Sequence, residues 1–431
     1  MHTHHRPPAI VPARPRQGSR LLAASLVAVF LAALPAPFSD LSAQDAPTGE
    51  PPAPPSEGPP PAAEEPAPPV EIVKGRLKTP GPPGNRHVRE IRPLRRGGGR
   101  VDWAQQGDWI AFDQVGDKGV YEIYLMNLAS SSESCLTCDR WELRKSHSLS
   151  PAWHPSGDYL VFQVQDLPRR MRLDAWELTT PHRGLHGDLW AITREGRDAW
   201  QLTRIAENGG AVVDPHFSHE AGRLVWSERL ESRRGRWGAW ALRVADFRIQ
   251  RGLPRLGKVA TYEPELPAGF VVAHGFTADD RGLFISAPDS GRDILRYDLA
   301  SGALERLTAT REYRDDCAAL ATRGDRIVWV SDRGIERPDD PRLPYRGDLW
   351  FLSEREELIE RLTFFNDPRS DHALGEALID DVAWSPEGDR LVLHVVWAVE
   401  TPPGGEEAPD DGSPAVEEAI YLVELDDSFI R

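Results

Sequence analysis

Six times along this chain an aromatic residue or Leu is followed seven residues later by an aliphatic one, with a polar or Gly-containing turn between. The pairs are Trp103/Ile110, Trp153/Leu160, Phe217/Leu224, Phe276/Leu283, Leu320/Ile327 and Trp384/Leu391. Two residues further on stands another bulky apolar residue: Phe112, Phe162, Trp226, Ile285, Trp329 and Leu393. Fixed spacing over six copies marks an array of one repeated unit that buries its faces by stacking on its neighbours.

Within a unit, apolar alternation after a Pro/Gly turn predicts a strand hairpin. In Trp153-His154-Pro155-Ser156-Gly157-Asp158, Pro presets φ and Gly supplies the positive φ of a tight turn. A third apolar run follows in each copy, such as Asp188-Leu189-Trp190 and Leu349-Trp350-Phe351. A fourth carries Leu-Thr at 136–137, 202–203, 307–308 and 362–363. The third copy lacks it, and its fourth strand is expected near Leu256–Ala260. Four strands per unit predict an all-β, six-bladed propeller of four-stranded blades. The sixth unit runs out after a third strand near Leu425. Val88–Leu94 is patterned like the other fourth strands and is expected to complete that blade, closing the ring with an N-terminal strand.

The Trp384-Ser-Pro-Glu-Gly-Asp-Arg-Leu-Val392 run, the Asp-Leu-Trp third strand and the closing Leu-Thr resemble the WD-like repeats of the TolB-like propeller family. The resemblance covers about residues 85–431. It implies the fold rather than an activity, because the same repeat builds binding proteins, peptidase lids and some glycan lyases. Two blades depart from it: Asp280 stands where a Gly usually falls, and blade five has Leu320-Ala321-Thr322-Arg323 in place of the aromatic and Pro.

Residues 1–43 read as a signal peptide: Arg14, Arg16 and Arg20 precede the apolar run Leu21–Leu34, and Leu41-Ser42-Ala43 offers a cleavage site. The run is short for a membrane span, so no stable span is expected after cleavage and the protein should be periplasmic or secreted. Residues 44–84, dominated by Pro, Ala and Glu, are expected to form a disordered linker. The net charge of −16 deepens once the leader is set aside. Residues 1–43 hold four Arg and one Asp, and residues 44–70 five carboxylates, which leaves about −14 on 71–431. That acidity argues against a nucleic-acid partner. For an exported chain, Cys135-Leu-Thr-Cys138 is expected to be a local disulfide, leaving Cys317 as a lone thiol.

Strands running up and down a blade put the connections between blades on the same face as the loops from second to third strand. Those loops are long in blades two, five and six, so that face is expected to bind a partner. It carries Arg169, Arg170 and Arg172 from blade two, and Arg233, Arg234, Arg236 and Trp237 from blade three. Trp176, Trp237 and Trp397 are the tryptophans expected to be exposed there. Near the start of each first strand stand His147, Asp214, His216, His274, Asp316, Asp380 and Asp381. Set around a channel mouth, they have the donor types to hold a divalent cation or a cationic group. No cofactor is otherwise expected. Gly97-Gly98-Gly99 reads as a hinge, and no G-x-S-x-G, H-E-x-x-H or phosphate-loop motif occurs. The sequence therefore points to an exported, non-catalytic scaffold for a protein or peptide at the cell envelope. The alternative is a metal-dependent glycan lyase or hydrolase using the channel His and Asp residues.

Overall fold

The computed structural model describes residues 76–77, 84–166, 180–231, 238–266, 269–287, 293–308, 312–321, 326–336, 341–343, 345–353, 358–400 and 415–426. They form six sheets in a ring, each built on an antiparallel blade of four strands. The innermost strands, in order, are Val101–Trp103, Ser146–Trp153, Ala211–Phe217, Val272–Phe276, Asp315–Leu320 and Ala377–Trp384. Each pairs with the next strand of its own blade, as the hairpin pattern predicts.

The repeated apolar positions are the mortar between blades. Trp103, Phe112, Phe162, Trp226 and Trp329 are almost wholly buried. The buried side chains fall into six clusters, one at each junction. Trp103 and Phe112 of blade one, for example, meet Ala383, Val392, Ile420 and Leu422 of blade six. Each such aromatic withdraws enough apolar surface to contribute about 1.5–3 kcal/mol, so the stacked interfaces hold the ring together.

The ring closes as the pattern predicts. Val88–Arg96 pairs antiparallel with Val416–Leu425 as the fourth strand of blade six. Blade five carries an addition the sequence did not suggest: Arg76–Leu77, within the segment read as linker, runs parallel to Leu358–Ile359 as a fifth strand. The fourth strand of blade three spans Leu253–Tyr262, longer at both ends than expected.

Local chemistry explains the motifs. The turn glycines Gly107, Gly157 and Gly388 have φ of 77°, 75° and 76°. In blade four Asp280 adopts φ 56° in their place, and its carboxylate accepts the N–H groups of His219 and Glu220 on blade three. A side chain that tolerates the left-handed region has been put to use as a bridge between blades. The Leu-Thr copies share one clamp. Thr137, Thr203, Thr308 and Thr363 each accept, through Oγ1, an N–H from the third strand of the blade (Ile123, Leu189, Ile294 and Leu349) at 2.9–3.0 Å. In blades two and five the Thr hydroxyl donates to the Asp opening that strand, Asp188 or Asp348, at 2.8 Å. This satisfies buried backbone groups at the narrow outer strand.

Candidate functional site

Five of the six innermost strands carry a β-bulge as they pass the axis: at Leu149/Ala152, Val213/His216, Ala273/Gly275, Asp316/Ala319 and Ile379/Asp381. Ser150, Asp214 and Cys317 there have positive φ, of 48°, 51° and 51°. A bulge re-aims the side chains of its strand, and repeated around the ring it turns polar groups into the channel. The predicted residues lie within these inner strands.

At the centre stands a residue that the sequence reading passed over, Arg100. Its Nη1 lies 3.7 Å from Asp214 Oδ1 and its Nε 3.5 Å from Asp380 Oδ2. Burial alone would pull the guanidinium down, but Asp380, Asp214 and Asp381 raise its pKa well above the ordinary value. Asp380 is shared with His394, whose Nδ1 is 3.7 Å from it; on the other side Nε2 lies 3.6 Å from Glu418. Burial disfavours an imidazolium there. The flanking carboxylates outweigh it and push His394 up to about 10, so this ring is cationic at neutral pH. Asp380 is held far below the carboxylate range: burial opposes this, but Arg100 and His394 prevail.

The remaining candidates separate into smaller groups. His274 Nε2 bonds Ser286 Oγ at 2.8 Å and stands 3.5 Å from Asp316 Oδ1, which Ser286 also reaches. Arg314 pairs with the other Asp316 oxygen at 3.1 Å. His147 stands apart, accepting the Tyr121 N–H at Nδ1 beside His182 and Tyr121 on the long-loop side. Burial lowers His147, His216 and His274 to about 4, so all three are neutral at pH 7. Asp381 accepts the Val101 and Val382 N–H groups and is lifted by burial to about 6. Among the described residues no three His, Cys, Asp or Glu side chains converge on a point where they could ligate a metal. The carboxylates that a cation site would need, Asp214 and Asp380, are paired with a guanidinium instead.

The glycine run is no hinge. A Cβ on Gly99 would lie 2.0 Å from Asp113 Oδ1, so only glycine lets the chain pass and set Arg100 at the axis. A cavity of about 380 Å³ opens beside Arg100, Asp214 and Asp381. It runs past Trp103, Trp153 and Trp384 to Gln105, Pro155, Ser218 and His219. These last residues belong to the tight first-to-second-strand turns. The sequence assigned no role to that face.

Of the residues expected on the long-loop face, Arg169, Arg170, Arg172, Arg233, Arg234, Arg236, Trp176 and Trp237 lie outside the described residues. Trp397 is half-buried. Trp141, which the sequence reading did not single out, is 77% exposed. It sits on the connection between blades one and two, a segment held at several points. Cys135 and Cys138 form the expected disulfide at its start. Backbone bonds run from Arg140, Leu143 and Ser146 to Thr137, Arg140 and Leu143. Arg140 pairs with Glu142 at 2.9 Å, and Leu143 is 1% exposed. A bulky indole is thereby presented to solvent on a pinned loop.

No family model and no curated protein matches the chain. Solved structures share its propeller fold at low identity. TolB from Acinetobacter baumannii is 15% identical, with a TM-score of 0.40 over 63% of this chain and 54% of that one. A puromycin hydrolase is 13% identical, with a TM-score of 0.44 over 70% and 50%. The chain thus spans about half the length of these two structures. An oligogalacturonate lyase in complex with manganese is 11% identical, with a TM-score of 0.41 over 84% of this chain and 100% of that one. The architecture is a six-bladed β-propeller. Among the described residues no helix is long and apolar enough to cross a membrane.

Proposed function

We propose that this protein is an exported binding scaffold whose partner, a protein or peptide segment, docks on the long-loop face with Trp141 as its anchor. The observation that carries this reading is Trp141 itself. Exposing an indole costs hydration free energy that folding does not recover, and tryptophans on fixed supports dominate the energetics of protein interfaces. The channel supports binding over metal chemistry. Its ionisable groups neutralise one another around Arg100, and His147 stands apart from His216 and His274, which line the same cavity. Export rests on the leader, and an N-terminus at Gln44 in the processed chain would be its mark.

The test is capture of envelope proteins by the wild type and by Trp141→Ala. A truncated anchor of this kind costs at least about 2 kcal/mol, or roughly thirtyfold in affinity. The variant should lose the partner while keeping its melting temperature, because the side chain makes little contact with the fold. Equal capture by both proteins would place the binding surface elsewhere.

A further inference from the structure

On the opposite face, the outer hairpin of blade three is larger than its sheet requires. Its strands, Ala239–Gln250 and Leu253–Tyr262, have twelve and ten residues, whereas the outer strand of blade one, Ser132–Cys135, has four. The second strand of blade three begins at Arg223 opposite Asp246, so Phe247–Leu256 projects past the sheet on the tight-turn side. The overhang is fixed in place. Phe247 packs on His154 and Phe217 with ring centroids 5.3 and 4.9 Å away, and Tyr159 Oη donates to the Gly252 carbonyl at 3.3 Å. Arg251 and Gly252 at its tip have φ of 54° and 77°, the left-handed pair of a tight hairpin turn.

Its surface works against folding. Arg248 lies directly opposite Arg255 in the register, and like charges so placed destabilise a sheet. Arg251 and Lys258 are exposed nearby. Among the described residues, the ion pair on these four cations joins Arg248 to Asp246 at 3.4 Å. Ile249, Leu253 and Val259 are three of the five exposed large apolar residues among those described. Cations interleaved with aliphatics, on a projecting tip of an otherwise acidic protein, have the chemistry of a contact with an anionic lipid surface. Two other occupants fit less well. A second copy of the hairpin would set cations against cations. Strand addition at this edge is obstructed by Pro254 and by the bulge opposite Asp246.

We infer that this hairpin docks the propeller on an anionic membrane surface, with Arg248, Arg251, Arg255 and Lys258 over the headgroups and Leu253 among them. The inference does not depend on the Trp141 reading, which concerns the other face. The test compares wild type with Arg248→Gln/Arg255→Gln in sedimentation with phosphatidylglycerol-containing and pure phosphatidylcholine vesicles. Both chains carry the same leader, so any contribution of the apolar run at 21–34 cancels. Each cation removed should weaken binding to the anionic vesicles about fivefold, and salt should abolish the difference. Leu253→Ser should weaken binding as well, while keeping the salt dependence of the wild type, because all four cations remain. Melting of the Arg variant should be unchanged or higher, since a like-charge pair is relieved. Equal partition of wild type and variant overturns the inference, as does loss of an acidic protein partner with vesicle binding unchanged.

Discussion

Replacing Asp348 by Ala tests the clamp that ties the outer strands to their blades. Asp348 is wholly buried and accepts bonds from Arg361 Nη2 at 2.6 Å, Thr363 Oγ1 at 2.8 Å, the Phe365 N–H at 2.8 Å and Asn366 Nδ2 at 3.0 Å. Truncation strands these donors, one of them the buried Arg361 guanidinium, and the Asn366 N–H. Removing one member of a buried ion pair costs about 3–5 kcal/mol. With an unfolding entropy near 2.1 cal/mol/K per residue, a propeller of about 340 residues should melt about 4–7 °C lower. Scanning calorimetry at pH 7 reads this directly. Asp348→Ala/Arg361→Met removes the orphaned charge together with its partner and should recover about half of the loss. Asp188→Ala in blade two should cost less, because that carboxylate serves Thr203, Gln201 and the Ile205 N–H but no guanidinium. A single variant melting within about 1 °C of wild type would refute the reasoning. So would a double variant that melts lower still.

Removal of residues 85–96 deletes the fourth strand of blade six and bares Val416–Leu425 along its length. The melting temperature should fall by more than any single substitution above produces, with a broadened transition. An unchanged melt would mean that the strand is dispensable to the ring. His394 makes stability depend on alkaline pH. Its pKa is raised from 6.5 to about 10 by Asp380 and Glu418, so its stabilisation is complete below about pH 6.5 and is lost as pH rises through 10. Wild type should lose melting temperature between pH 7 and 10, and His394→Gln should show a shallower slope. Parallel slopes would assign the dependence to other groups.

Much of the fold was legible because propeller stacking imposes one apolar spacing on every blade, and turns need residues that tolerate positive φ. The closing strand was legible for the same reason: Val88–Leu94 carries the pattern that the sixth unit lacks. The site was less legible because its residues break the repeat. Three positions before the aromatic of each inner strand stand Arg100, Ser150, Asp214, Ala273, Cys317 and Asp381. Only a comparison down that column shows an Arg set among acids and small residues. His394 hides similarly, in a second-strand column shared with Asp113, Gln163, Ser227, Ser286 and Val330. Trp141 belongs to no repeat position, and its exposure follows from the turns and disulfide that shape its loop. The arrangement of Asp280 shows the opposite case: a visible departure from the motif that became a contact between blades.

The partner of the first full strand, Val88–Arg96, is Val416–Leu425, which is made long after it. At synthesis rates of about 5–20 residues per second, the early strand waits on the order of 16–64 seconds for Val416–Leu425. During that interval its nine residues present free N–H and C=O groups to every other nascent chain. Its composition guards it: Arg89, Arg92, Arg95 and Arg96 repel copies of itself, and Pro93 withholds one donor from any foreign sheet. Glu424 and Glu133 then receive Arg89 and Arg95 at 2.6 and 3.0 Å once the ring shuts. The same charges thus serve as a safeguard before closure and as part of the latch after it.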